Sequence, residues 1–196
     1  MDLVRDLLDK QVMDRNGREM GRVDSIAIDV RKGAPPRVVA IELGIGVLGY
    51  RIAPIIGRWM AAVEYACGAT PPGWIPFGDI LTATHQFTVD RAAGDTTPRP
   101  VEAPLYLDRL LGRAVVARNN RPVGRIEEFR ADIKGKACTI TDVVIGAAGL
   151  AERLGVGIRL LLGFEPSGHL ARWDQIDLTD VEHPRLLCAL EDLREA

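Results

Sequence analysis

The segment LLDKQVMDRNGREMGRVDSIAID, from Leu7 to Asp29, is written a second time as LLGRAVVARNNRPVGRIEEFRAD, from Leu110 to Asp132. In that alignment Leu8 falls on Leu111, Arg15-Asn16 on Arg118-Asn119 and Gly21-Arg22 on Gly124-Arg125, and the apolar positions coincide. Self-similarity of this kind is the mark of a duplicated structural unit. The likeness extends outward: VVAIELG ending at Gly44 answers TDVVIG ending at Gly146, and FGDI from Phe77 answers WDQI from Trp173. Insertions of unequal length separate these landmarks.

Each copy opens with a short apolar stretch, Val12-Met13 or Val115-Val116, that runs into a polar turn, Arg15-Asn16-Gly17-Arg18 or Arg118-Asn119-Asn120-Arg121. Asn and Gly tolerate the positive φ that tight hairpins require, so both turns predict a hairpin. Beyond them Val23, Ser25, Ala27 and Asp29 alternate with Asp24, Ile26, Ile28 and Val30, and a third run, Val38 to Leu43, is rich in β-branched residues. Gly21 and Gly124, inside strands, predict a bulge or sharp bend. Between the copies, RAAGDTTPRPVEAP from Arg91 to Pro104 has three prolines and no periodicity, the composition of a linker. The expected organisation is therefore a mainly β chain: a first unit over 1–90, a Pro-rich linker over 91–104 and a second unit over 105–196.

The first segment resembles the opening of the PRC-barrel family, in which a leucine and a valine-bearing strand lead into an Asp-x-Asn/Asp-Gly turn and then Gly-x-Val. The second copy departs from that pattern, with Ala117 in place of Asp14 and Asn120 in place of Gly17. The first copy is also similar to PRC-barrel segments attached to some magnesium-transporter proteins, through LLDKQVMD. The resemblance implies two tandem small antiparallel β-barrels that dock onto a protein partner, and it brings no catalytic residues.

Composition narrows the function classes. Acidic and basic residues nearly cancel, at a formal charge of −2, so no global field gathers phosphate backbones and nucleic acid is not an expected partner. The three cysteines, Cys67, Cys138 and Cys188, lie far apart without the paired spacing of zinc or redox sites, which suits a reducing compartment. MDLVRDLLDK alternates charge with leucine and lacks the apolar run of a secretory signal. The expected location is cytoplasmic, extending to the membrane periphery.

No motif points to catalysis, a cofactor or a metal. His85, His169 and His183 belong to no array that would place two ligands on one helix face. GIGVLG from Gly44 imitates a dinucleotide fingerprint but lacks the long crossover helix and the ribose-binding acid that give it meaning, and it reads as a strand end. The acidic pairs Glu127-Glu128 and Glu191-Asp192 have the ordinary explanation of a solvated surface.

The feature least explained by the repeat is LGYRIAPIIGRWMAAVEYACG, in which Ile52, Ile55, Ile56, Trp59, Met60, Val63 and Cys67 recur at helical spacing. Arg51, Arg58 and Glu64 interrupt it, which argues against a membrane span. Two readings stand. The stripe seals an end or edge of its own barrel or a self-dimer, the heavier of the two because a large aromatic in a long apolar face is more often core; or Ile52, Ile55, Ile56, Trp59, Met60 and Val63 form a surface for a partner or for a membrane interface. LAERLGVGIRLLLG from Leu150 repeats a shorter version, and HPRLLCALEDLREA predicts a C-terminal helix with Leu186, Leu187, Leu190 and Leu193 on one side. The expected function is a non-catalytic adaptor for a protein partner, with a membrane-associated or transport-related complex as one candidate. The alternative is a small-molecule or ion sensor with its site between the two barrels.

Overall fold

The structure is a computed structural model, and it describes residues 1–43, 73–83, 86–92, 95, 105–146 and 168–195. The first half comprises helix α1 (Leu3–Leu7) and strands β1 (Gln11–Met13), β2 (Glu19–Asp29), β3 (Arg37–Leu43), β4 (Gly73–Pro76), β5 (Ile80–Ala83) and β6 (Phe87–Val89), with a 3-10 turn at Phe77–Asp79 between β4 and β5. After β7 (Leu105–Tyr106) the second half repeats the order: α2 (Leu107–Leu110), β8 (Ala114–Val116), β9 (Pro122–Lys134), β10 (Ala137–Gly146), β11 (His169–Arg172), a 3-10 turn at Trp173–Gln175, β12 (Ile176–Asp177) and β13 (Arg185–Leu186). A last 3-10 turn, Leu190–Asp192, leads to β14 (Arg194–Glu195).

Pairing repeats as well as order. β1 lies antiparallel to β2 and parallel to β6, as β8 does to β9 and β13. Beside Gly21 and Gly124 the register slips between Val12 and Met13 and between Val115 and Val116, the bulges foreseen from those glycines. Gly21 takes φ 134°, and a Cβ at Gly124 would collide with the Gly146 carbonyl oxygen.

The halves do not make two separate closed sheets. The described strands form one open sheet, ordered β12-β13-β8-β9-β10-β3-β2-β1-β6-β5. In the first half the ladder stays open where β4 and β5 are joined only by the chain of Phe77–Asp79. The reason for the fusion is strand length. β2 outruns β1, and its overhanging Ala27 and Ile28 pair with Tyr106 and Leu105 of β7. β9 outruns β8, and its Arg130 and Ala131 are met by Asp2 and Met1, with Ala131 N–H donating to the Met1 carbonyl at 2.9 Å. β3 and β10 extend beyond β4 and β11 and pair with each other, Val38 opposite Cys138 and Arg37 opposite Thr139. A strand overhang carries backbone groups that need partners, and each half supplies them to the other.

One apolar core serves both halves. Val12, Ile26, Ile41 and Phe87 share it with Ile126, Phe129, Ile140 and Ile145, and α1 and α2 contribute Leu3, Leu7, Leu107 and Leu110, all fully buried. Each such leucine stabilises by about 1.5–3 kcal/mol. The alternation of β2 breaks at Ala27 because that face is covered too, by Ala40 and Tyr106.

The C-terminal helix is corrected. Residues 183–195 contain no α-helix: Arg185 pairs with Val116 along the open edge of β8, burying Leu186 while Leu187 turns outward. The demand of a sheet edge overrides helical spacing. The short helical insertions expected near residues 50–68 and 150–158 lie outside the described residues. The two described helices, of five and four residues, instead precede β1 and β8.

Candidate functional site

The partner-surface candidates Ile52, Ile55, Ile56, Trp59, Met60 and Val63 lie outside the described residues, as do Cys67, His85, GIGVLG and the Leu150–Ile158 face. The other groups singled out by chemistry are each given a place. Cys138 is buried at the seam between halves, where burial pushes its thiol up to about 12, and burial also raises the half-exposed Cys188. His169 starts β11 opposite Ile145, whereas His183 is exposed beside Asp180, its Nδ1 3.3 Å from Oδ2. Among the described residues no group of three His, Cys, Asp or Glu side chains is placed to share a metal ion, and no helix is long and apolar enough to cross a membrane.

Several acids, including one member of each acidic pair, accept hydrogen bonds from backbone N–H groups. Glu128 accepts hydrogen bonds from the N–H groups of Val4 at 2.7 Å, Arg5 at 3.0 Å and Phe129 at 2.8 Å, so it ties α1 of the first half to β9 of the second. Its counterpart in the repeat, Ser25, donates to Asp108 of α2 at 3.3 Å. Asp192 accepts from Ala189 N–H. Asp14 is buried and accepts from the N–H groups of Asn16 at 2.7 Å and Arg18 at 2.8 Å, closing the first hairpin turn.

Among the described residues, a cleft of about 330 Å³ where the two halves meet has apolar lining and charges on both walls. One wall is the loop between β2 and β3; the other is the stretch from Trp173 to Thr179, with Leu187 at the rim. Apolar surface comes from Pro36, Ile176 and Leu178, which are buried, and from Trp173, which is half-buried. The first wall carries Arg31 and Lys32 and the second Asp174 and Asp177. Arg31 is already paired with Asp29 at 2.7 Å and Asp174 with Arg172 at 2.7 Å. Asp177 Oδ1 accepts from both the N–H and the hydroxyl of Thr179, at 2.9 and 2.6 Å, and these bonds hold its carboxyl below the ordinary value.

Sequence reasoning singled out Trp173 only as a landmark of the repeat, and it missed Lys32 and Asp177. The signal was a difference between copies: VRKGAPP, from Val30 to Pro36, joins β2 to β3, whereas Gly135-Lys136 alone turns β9 into β10. The longer loop is what reaches across to the second half. Comparison with protein-family models gives no match, and no curated protein matches the chain.

Proposed function

We propose that this chain is a non-catalytic binding protein, an adaptor in which two tandem PRC-barrel-like modules, 1–90 and 105–196 about the 91–104 linker, present a joint platform to a protein partner. The observation that carries the reading is the mutual docking of the repeated units. Overhanging strands, leading segments and a common core hold the two copies together, so surfaces from both halves are presented in a fixed relation. The constrained acids Asp14 and Glu128 also support the reading, since they are engaged with backbone N–H groups. A cytoplasmic site of action, at or near a membrane-associated or transport-related complex, is part of the proposal, and a second copy of the chain is a further candidate partner.

Affinity capture from native cells with membranes retained tests the proposal. The expected result is saturable, stoichiometric recovery of one protein complex. Trp59→Ala locates the surface: sealing predicts a stability loss of about 3–5 kcal/mol with capture per folded molecule unchanged, whereas docking by the stripe predicts lost capture at an unchanged melting temperature. Absence of any stoichiometric partner overturns the adaptor reading. The cleft supports a second reading, a sensor that binds a small molecule between the modules, because junctions between domains are favoured ligand sites.

A further inference from the structure

We propose that the cleft at the junction binds a small zwitterion with an apolar body, of the class of free leucine or phenylalanine, its carboxylate taken by Lys32 and its ammonium by Asp177. This rests on the second reading above, that the cleft is a ligand site, and goes on to name the ligand's chemistry.

Two of the charges that line the cleft, Lys32 and Asp177, form no salt bridge among the described residues. Lys32 is exposed on the wall supplied by the first half and forms no ion pair among the described residues, while its charge favours the ionised form of Asp177 across the cleft. Thr179 occupies Oδ1 of Asp177 with both of its bonds, which leaves Oδ2 without a hydrogen-bond partner among the described residues. The other two charged side chains of the cleft are spoken for on their own walls, Arg31 by Asp29 and Asp174 by Arg172. What remains is one cation on the first wall and one anion on the second, in a cleft that also has apolar lining.

That pattern discriminates among ligands. A simple anion is drawn to Lys32 and repelled by Asp177; a simple cation meets the reverse. A neutral apolar molecule leaves both charges partly desolvated and unpaired, which is unfavourable. A zwitterion satisfies both, and selectivity follows as much from the penalties on its rivals as from its own contacts. Size points the same way. About 330 Å³ lies at the low end of small-molecule pockets, which run from roughly 300 to 1,000 Å³, so a single amino acid is accommodated and a dinucleotide is not. Trp173, Ile176 and Leu178 supply the contact for an apolar side chain. Because Lys32 is exposed, its ion pair is screened by solvent and the affinity is modest, as suits a sensor of a metabolite pool.

The test is calorimetric titration of the full chain with L-leucine and L-phenylalanine, beside N-acetyl-leucine, which lacks the ammonium, and leucinamide, which lacks the carboxylate. Trp173 fluorescence, assigned by subtracting the Trp173→Phe variant, reports occupancy of the cleft. The expected result is saturable binding of a free amino acid, weakened about tenfold or more in each blocked analogue, in Lys32→Gln at an unchanged melting temperature, and in Asp177→Asn when affinity is compared per folded molecule, since that change also alters the acceptor of the Thr179 bonds. Equal binding of leucine and N-acetyl-leucine overturns the zwitterion proposal. Perturbation of Trp173 by indole, with none by amino acids, also overturns it while leaving the cleft a ligand site. No perturbation by any of these probes sinks both readings together.

Discussion

At Gly17 the first hairpin turn takes φ 76°, and at the matching place in the second half Asn120 takes φ 60°. The backbone bonds of the two turns coincide: Asp14 N–H reaches the Arg18 carbonyl at 2.8 Å and Ala117 N–H the Arg121 carbonyl at 2.9 Å. The side-chain support differs, since Asp14 gathers two N–H groups and Ala117 cannot, leaving Asn119 to accept from Arg121 N–H at 3.2 Å. Left-handed φ costs an ordinary L-residue roughly 1–2 kcal/mol, and Asn less because its short polar side chain bonds locally. No atom lies within 4 Å of a Cβ built on Gly17, so conformation alone sets the penalty there. Gly17→Ala is expected to lower stability by about 1–2 kcal/mol and Gly17→Asn by less than half as much, as read by urea denaturation. Equal losses would show that the left-handed backbone is not what selects these residues. At this scale the sequence was legible, because turn chemistry acts within a few residues.

The elements divide between those set by local pattern and those set by neighbours. β2 and β9 follow from the turns and the apolar runs that come after them. Helix α1 has only five residues, too short to persist alone. It holds through buried Leu3 and Leu7 and through the Glu128 carboxylate, which arrives from the other half to accept from Val4 and Arg5. Glu128→Ala should therefore cost about 1–3 kcal/mol. It should also accelerate hydrogen exchange at the Val4 and Arg5 amides while leaving the Ile41 amide in β3 protected. Unchanged exchange at Val4 and Arg5 would mean that Glu128 does not hold the helix. The C-terminal segment marks the limit of pattern reading. Its leucines fit a helix by spacing, yet Leu186 is 1% and Leu187 44% exposed, the in-out alternation of a strand. The edge of β8, which no local rule reveals, decided that outcome.

On the scale of the whole molecule, the two copies pair about a local two-fold relation. When VVAIELG ending at Gly44 is laid on TDVVIG ending at Gly146, Arg37 and Thr139 become equivalent positions, and they face each other across β3 and β10. The bond from Ile140 N–H to the Pro36 carbonyl at 2.8 Å and the pairing of Val38 with Cys138 are mates under the same relation. With a shared core and exchanged leading segments, the linker is not what holds the halves together. A protease site placed within residues 96–104 and cut under native conditions should leave a single species in size exclusion, with both fragments in it. Separation into two peaks would show the seam to be weak. The duplication, the β-rich character and the hairpin turns were determined by the sequence itself, since each depends on repeated residues, a period of two and turn chemistry, all local quantities. Only the tertiary structure decided that the copies fuse into one open sheet, that the last segment forms short strands and a 3-10 turn rather than an α-helix, and that Lys32 and Asp177 line one cleft. Those outcomes depend on which backbone edges and charges, remote in the chain, are left without partners until the halves come together.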